Sequence, residues 1–213
     1  MSNALDKLLS ISSAPICKQP LWPLRKTILR MAGKCAEQLE DMLKRKNGFY
    51  AFESALHVFP LNGDESKISI EKWNSNGLWK DEYNGNLENI TFYAEDLFAG
   101  QFGIQENKIV RFDPEVGEIN TFSGDLVEWA EKILDDYDCE TGYPLATDWQ
   151  KRNGILQPGF RLLPKIPFVL GGEYEVENLY ATEAVAGMYL RADIWRQIKD
   201  LPDGTDIELQ VDD

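Results

Sequence analysis

The chain has 213 residues, of which 43% are hydrophobic and 11% aromatic, and a formal net charge of −14. This composition is too apolar and too aromatic for a disordered chain, and it suffices to bury one sizeable core. No segment approaches the roughly 20 apolar residues of a membrane-spanning helix, and the N-terminus lacks the basic start and apolar run of a signal peptide. We therefore expect a cytoplasmic protein, and three widely spaced cysteines without a Cys-x-x-Cys pair favour reduced thiols.

Residues 1–24, which contain several serines and prolines, are predicted to be an N-terminal arm. Residues 25–213 are predicted to form a single domain that includes a C-terminal extension from about residue 141. The first element of this domain is a helix, because the apolar residues of TILRMAGKCAEQLEDMLKRK recur at helical spacing. Its three final basic residues suit the C-terminal end of a helix dipole.

The middle of the chain has the pattern of an antiparallel meander. The segment FYAFESALHVFP predicts a strand, or a strand with a short turn, and KISIEKWN places two isoleucines on one face. The segments ITFYA, QFGIQ, KIVRFD and EINTFS predict four short strands, because turn-forming residues separate them. Asp125 then caps a predicted helix, DLVEWAEKILDD, with Glu128 in the third position of a capping box.

The last third predicts short strands and turns, followed by a helix and a strand. Prolines and glycines interrupt WQKRNGILQPGFRLLPKIPFVLGGEYEVENL, LRADIWRQIKDL predicts a short helix, and TDIELQV predicts a closing strand. The sequence therefore predicts an α+β fold in which an antiparallel or mixed β-sheet packs against helices.

The sequence contains no clear motif of catalysis or cofactor binding. His57 is the single histidine, and no Gly-x-Ser-x-Gly elbow or phosphate-binding glycine loop accompanies it. Asp136, Asp138 and Glu140 alternate like the first ligands of a calcium loop, but the glycine falls one place late and the twelfth position is Thr147. We therefore expect a non-enzymatic protein with no catalytic residue, no metal site and no cofactor.

The negative charge is concentrated between Asp81 and Asp148, where 17 acidic residues accompany three basic ones, a net charge of −14. Such a field attracts a basic protein and repels nucleic acid and anionic membranes. A solvated face that serves solubility and a docking surface for a protein partner both fit this pattern. Exposed aromatic residues beside the acids would favour docking, since aromatics are over-represented at binding hot spots. The candidate partner-binding residues are Glu95, Asp96, Glu115, Glu118, Asp135, Asp136 and Asp138.

A family resemblance rests on two consecutive motifs. FYAEDLFAGQFGI follows the pattern FAED.FG.QF.I, with Tyr93 and Ala99 as departures, and KIVRFDPEVGEI contains a turn of the form fDpetGe, with Val116 as a departure. Together with the helices on either side, these motifs resemble the SUKH superfamily over roughly Gly33 to Asp138. This superfamily comprises bacterial immunity proteins and the yeast Smi/Knr-type cell-wall regulators.

The resemblance implies a non-enzymatic protein that binds and neutralises a cognate toxin, often a nuclease, of a contact-dependent or secreted toxin system. It transfers no catalytic residues, and it does not identify the toxin. The charge distribution agrees with it, because a nuclease toxin tends to be basic and its inhibitor acidic. An intracellular scaffold or regulator of the same fold and a hydrolase that works through acidic residues stay open as alternatives, as does the oligomeric state.

Overall fold

A computed structural model describes residues 3–19, 33–61, 68–202 and 204–207. These residues form an α+β fold, as predicted, with a six-stranded antiparallel sheet packed against helices. Each strand of this sheet pairs with the strands that precede and follow it in the chain. The six strands are β1 (Phe49–Ala51), β2 (Leu56–Val58), β3 (Thr91–Glu95), β4 (Gln101–Gln105), β5 (Lys108–Asp113) and β6 (Glu118–Ser123).

A second, two-stranded sheet pairs β7 (Phe160–Pro164) with β8 (Leu179–Glu183), and a 3-10 helix spans Trp79–Tyr83. In the part of the chain that the structure describes, no helix is both long and apolar enough to cross a membrane. The α-helices of the described residues are α1 (Ala4–Ile11), α2 (Lys34–Arg45), α3 (Ile70–Trp73), α4 (Leu126–Asp135), α5 (Tyr137–Thr141), α6 (Tyr143–Asn153) and α7 (Ala184–Ile198).

The four predicted strands of the meander are confirmed as β3 to β6. The β4–β5 connection is the two-residue turn Glu106-Asn107, whose φ values of 48° and 60° are left-handed, as in type I′ hairpins. The Asn107 side chain also caps α2, because its Oδ1 accepts a hydrogen bond from the backbone N–H of Cys35 at 3.0 Å. This turn therefore fixes both the register of two strands and the start of a helix.

Helix α4 begins where the sequence predicts it. The Asp125 carboxylate accepts hydrogen bonds from the backbone N–H groups of Val127 and Glu128 at 2.8 and 3.0 Å, which satisfies two donors of the first turn. The Glu128 carboxylate accepts from the N–H of Gly124 at 2.7 Å, so the capping box closes one residue earlier than predicted. Trp129 of this helix is fully buried in the main core.

The predicted N-terminal arm is wrong for Ala4–Ile11, which form α1. Asn3 and Asp6 make a reciprocal capping box at its start, and its three leucines are buried in the main core. An eight-residue helix spans little more than two turns, which is too short for a clear periodic signal. Residues 20–32, which include the end of the arm and the first part of the next predicted helix, lie outside the described residues.

Two segments before the meander also differ from the prediction. FYAFESALHVFP forms the β1–β2 hairpin rather than one strand, because Phe52, Glu53 and Ser54 take left-handed φ values of 53°, 52° and 71°. The segment KISIEKWN contains helix α3, which Ser69 caps.

The C-terminal extension is more helical than predicted. Helix α6 spans Tyr143–Asn153, where strands and turns are predicted from Trp149 onward, and the last helix begins at Ala184 rather than at Leu190. Apolar residues of the C-terminal extension form a second core around Leu97 of the β3–β4 connection. Helix α7 then returns to the main core. Of the predicted closing strand, residues 205–207 are not in a strand and the rest lies outside the described residues.

Candidate functional site

A cleft of about 420 Å³ opens between the six-stranded sheet and the C-terminal extension. The sheet contributes the β3–β4 connection and the β5–β6 hairpin, and the extension contributes Phe168, Val169, Tyr174 and Arg191. We call it the β5–β6 cleft. Charged and aromatic side chains both line it.

Two arginines neutralise the buried carboxylates that line the β5–β6 cleft. Arg191 donates from Nη1 to Glu115 Oε1 at 2.6 Å. Arg111 donates from Nη2 to Asp96 Oδ2 at 2.8 Å and from Nη1 to Glu140 Oε2 at 2.7 Å. Burial raises the pKa of Asp96, and Arg111 opposes this shift. These ion pairs join the sheet to α5 and α7 around the cleft.

The outer wall of the cleft, Asp113 and Glu118, carries two carboxylates outside any close ion pair of the described residues, although Arg111 interacts with Asp113 at longer range. Asp113 ends β5 and Glu118 begins β6, and the two residues are direct partners in the antiparallel register. Both are exposed, and among the described residues neither forms an ion pair. Asp113 Oδ1 accepts a hydrogen bond from the backbone N–H of Glu115 at 2.8 Å. Like charges directly opposite each other destabilise a strand pair, so this wall is electrostatically unfavourable in the free protein.

Aromatic rings form the part of the cleft that the extension contributes. Tyr174 is 64% exposed and stacks on Phe168, with ring centroids 4.0 Å apart and an interplanar angle of 7°. Phe98 packs edge-on against Phe168 at 5.2 Å. The stacking holds the Tyr174 ring in place although most of it contacts solvent.

Arg191 has donors that its ion pair with Glu115 does not satisfy. Its side chain is 3% exposed, and within the described ranges its Nε and Nη2 atoms are buried without an acceptor. A buried donor without an acceptor costs about 1–3 kcal/mol. Two donors behind the inner lining of the cleft are therefore enclosed in protein without an acceptor, whereas the acceptors of the outer wall face solvent.

A second buried ion cluster joins β2, β3 and β7. Glu95 Oε1 accepts hydrogen bonds from Arg161 Nε at 2.7 Å and from His57 Nδ1 at 2.9 Å. Burial favours a raised pKa of Glu95, but Arg161 and His57 together hold that pKa below its usual value. Burial lowers the pKa of His57 to about 4, so His57 is neutral at pH 7 and donates to a charged carboxylate. All three side chains are enclosed in protein, which gives this cluster a structural role.

Three of the seven candidate partner-binding residues are buried, so the expectation that they form an exposed surface is wrong for them. Glu95, Asp96 and Glu115 are 0%, 3% and 3% exposed, and each is paired with an arginine. The turn-forming residues near these positions predict exposure, but Glu95 is the last residue of β3, and the three arginine partners come from β5, β7 and α7. Charge reversal at these three positions would therefore test folding rather than docking. Of the candidates in the β5–β6 cleft, Glu118 alone is exposed.

The α4–α5 corner, made of Asp135, Asp136 and Asp138, carries the other three candidates, all of them exposed. Asp136 caps α5 by accepting a backbone N–H at 3.3 Å, while Asp135 and Asp138 form no ion pair within the described residues. Tyr137 is 37% exposed and stacks on Phe52, with ring centroids 5.0 Å apart. The corner therefore combines unpaired carboxylates with an aromatic ring that is held in place.

The alternating acids of the possible calcium loop do not form a loop. Asp138 and Glu140 lie within helix α5, and Glu140 is paired with Arg111. Among the described residues, no group of three or more His, Cys, Asp or Glu side chains is placed to hold a metal ion.

Sequence reasoning missed Arg111, Tyr174 and Arg191 as residues of the cleft. The sequence could have indicated Arg111, because it is one of only three basic residues among the 17 acids of the central third. A cation surrounded by many carboxylates favours an ion pair. Arg191 is 76 residues from its partner Glu115, so no local pattern marks that pair. Tyr174 lies in a segment without helix or strand, where the hydrophobic period gives no information.

No family model matches the chain, and no curated protein matches it. Among solved structures, the chain is similar to the crystal structure of Atu4351 from Agrobacterium tumefaciens, with a TM-score of 0.57, 14% sequence identity and coverage of 86% of each chain. At this identity the similarity shows the fold alone. The fold and the cleft together define an α+β protein with a strongly acidic, partly aromatic surface.

Proposed function

We propose that this chain is a non-enzymatic, cytoplasmic immunity protein that binds and neutralises a basic toxin domain of the nuclease class, from a contact-dependent or secreted toxin system. The proposal rests mainly on the exposed acidic residues that do not take part in ion pairs within the described part of the fold. The SUKH-like motifs of the central third support the same function.

The exposed acids that lack an ion-pair partner in the described residues include Asp135 and Asp138 at the α4–α5 corner and Asp113 and Glu118 at the cleft. A nuclease needs a basic surface, because it binds a chain of phosphates. An acidic protein with fixed aromatic rings such as Tyr137 is complementary to that surface and competes with the nucleic acid for it. Binding alone would then neutralise the toxin.

The buried carboxylates also support a binding role rather than a catalytic one. Glu95, Asp96 and Glu115 are each neutralised by an arginine that holds two parts of the chain together. Arg161 and Arg191 are enclosed in protein with them. Carboxylates fixed in this way stabilise the arrangement of elements and are not free to exchange protons with a substrate.

The test is co-expression with the product of the adjacent gene, followed by co-purification and a measurement of protection from toxicity. We expect the two proteins to co-purify and the cells to survive. Asp135→Lys with Asp138→Lys should weaken the complex by about tenfold or more, because it replaces two attractions by two repulsions. Lysine at position 135 suits the C-terminal end of α4, whereas lysine at position 138 opposes the dipole at the first turn of α5. Both side chains are exposed, so the variant should stay folded.

The matched control is Glu37→Lys with Asp41→Lys, which makes the same change in charge on the exposed side of α2. This control should bind within about twofold of wild type if docking is local to the central acidic third. Absence of a complex, or a complex that gives no protection, would contradict the proposed function. Circular dichroism of all variants checks the fold.

A further inference from the structure

The charges of the β5–β6 cleft do not cancel. Four carboxylates and two guanidinium groups line it. Arg111 is paired with Asp96 and Arg191 with Glu115. Among the lining residues, the two carboxylates outside an ion pair are therefore Asp113 and Glu118, which are exposed and which a ligand can reach. Glu140, the second partner of Arg111, adds a further negative charge beside the cleft.

The outer wall is arranged unfavourably for the free protein. Asp113 and Glu118 are direct partners across the β5–β6 pair, where like charges repel. The short turn between them holds them together, because Gly117 has a left-handed φ of 71° and an added Cβ there would overlap the Trp195 ring. The repulsion between Asp113 and Glu118 weakens the free hairpin. A cation that binds between the two carboxylates would explain why they are placed together, since residues that serve binding commonly reduce stability.

The aromatic side of the cleft indicates which kind of cation fits it. Tyr174, exposed and stacked on Phe168, offers a ring to a planar cation. Guanidinium groups stack on aromatic rings and donate to two carboxylates from a rigid, planar fork, whereas an ammonium group is a point charge. The arrangement therefore favours arginine over lysine.

The inner lining of the cleft fits the rest of an arginine residue. The Nε and Nη2 atoms of Arg191 are buried and, in the described part of the chain, without an acceptor. The main chain next to a bound arginine side chain carries carbonyl oxygens, which are acceptors of the kind these donors lack. A peptide segment thus supplies the cation for the outer wall, and its carbonyl oxygens reach the Arg191 donors only if Arg191 shifts toward the cleft, because these atoms are closed to solvent in the free protein.

We propose that the β5–β6 cleft receives an arginine side chain of the protein partner, between the carboxylates of Asp113 and Glu118 and against the ring of Tyr174. This inference rests on the proposed function for the identity of the partner. It also makes a claim about the cleft itself that does not depend on that partner, namely that it binds an arginine residue.

The cleft is tested first with Nα-acetyl-arginine amide, using Nα-acetyl-citrulline amide as the neutral isostere, by NMR titration of the full chain. We expect saturable shifts at Tyr174 and at the β5–β6 turn with the arginine compound, with a dissociation constant of about a millimolar, and none with citrulline. Asp113→Asn with Glu118→Gln should abolish them. Equal shifts with both compounds, or no shifts with either, would overturn the proposal.

The same variant is then tested against the partner. Asn at position 113 retains the oxygen that accepts from the Glu115 N–H, so the turn should persist. We expect the variant to unfold at the same or a higher denaturant concentration than wild type, while partner binding falls by about tenfold or more. Tyr174→Ala, which removes a mostly exposed ring, should weaken binding in the same direction.

The outcomes separate the two proposals. If wild type binds the partner and the Asp113→Asn, Glu118→Gln variant binds it equally well, the cleft proposal is wrong and the immunity function stands. If wild type binds no such partner, the proposed function fails, and the titration with the arginine compound alone decides whether the cleft is an arginine site.

Discussion

Glu95 joins three elements through one carboxylate. Its Oε1 atom accepts from His57 of β2 and Arg161 of β7, and its Oε2 atom accepts from Gln101 Nε2 at 3.4 Å. Gln101 in turn accepts a hydrogen bond from Trp73 Nε1 at 2.8 Å. Removing one member of such a buried cluster leaves the others without partners and costs about 3–5 kcal/mol. An ion pair as well as apolar contacts therefore holds the C-terminal extension against the sheet.

The single histidine gives this cluster a pH dependence. The pKa of His57 is about 4 in the folded protein and about 6.5 for an ordinary histidine, so the unfolded chain takes up this proton first as the pH falls. The free energy of unfolding should therefore drop by about 2 kcal/mol between about pH 7.5 and about pH 5. His57→Gln should be less stable at neutral pH, because it loses the ring that stacks on Tyr50, but its stability should change much less over this range.

Urea unfolding of both proteins at several pH values measures the difference. The comparison between wild type and His57→Gln isolates the histidine, because carboxylates such as Asp96, whose pKa is raised, titrate in both proteins. Parallel curves for the two proteins would show that His57 does not supply the pH dependence. Partner binding at neutral pH should be unchanged in His57→Gln, since the ring is enclosed in protein.

At the scale of elements, α1 belongs to the core although it precedes the predicted domain. Lys46, at the end of α2, donates from Nζ to the backbone oxygen of Leu9 at 2.5 Å and to Ser12 Oγ at 2.8 Å. These contacts satisfy acceptors at the C-terminal end of α1. Arg45 also pairs with Asp6 at 2.6 Å. Two basic residues that suit the dipole of their own helix therefore also hold a neighbouring helix.

The contribution of α1 is tested within one helix. Leu8 is fully buried, whereas Ile11 is 52% exposed. Leu8→Ala should lower the free energy of unfolding by about 2–5 kcal/mol, because it leaves a cavity in the main core. Ile11→Ala, the matched control, should change it by about 0.5 kcal/mol or less. Similar values for the two variants in urea unfolding would mean that α1 behaves as the arm that the sequence predicts.

The elements that were predictable are those specified by neighbouring residues. Turn-forming residues separate the segments that form β3 to β6, and α4 has its cap at Asp125 and an apolar face. The buried charges were not predictable in this way, because Glu95 and Arg161 are separated by 66 residues and Glu115 and Arg191 by 76. Since a carboxylate near a turn is exposed by default, only the arrangement of the whole chain shows which of the candidate residues can meet a partner.

At the scale of the whole molecule, the electrostatic field of the central third stays negative, but burial changes which acidic residues produce it at the surface. The central third keeps its net charge of −14, and ion pairs within the fold remove Glu95, Asp96 and Glu115 from its accessible part. Five of the remaining acids lie at the outer wall of the cleft and the α4–α5 corner, and the others are spread along the rest of the central third. Arg111 links these two regions, because it contacts both Asp96 in the cleft and Glu140 of α5. A basic partner would therefore meet acidic residues at more than one place on the surface of the central third.

This field predicts how fast the partner associates. As ionic strength rises and the screening length falls from roughly 30 to roughly 8 Å, the association rate constant with the proposed basic partner should fall by about tenfold or more. Asp135→Lys with Asp138→Lys should lower the rate at low salt and give a shallower salt dependence, while the dissociation rate changes little. Glu37→Lys with Asp41→Lys makes an equal change in net charge outside the central third. Stopped-flow measurements at several salt concentrations should therefore separate the two variants, and identical salt dependence in both would mean that only net charge, and not the position of these acids, guides the partner.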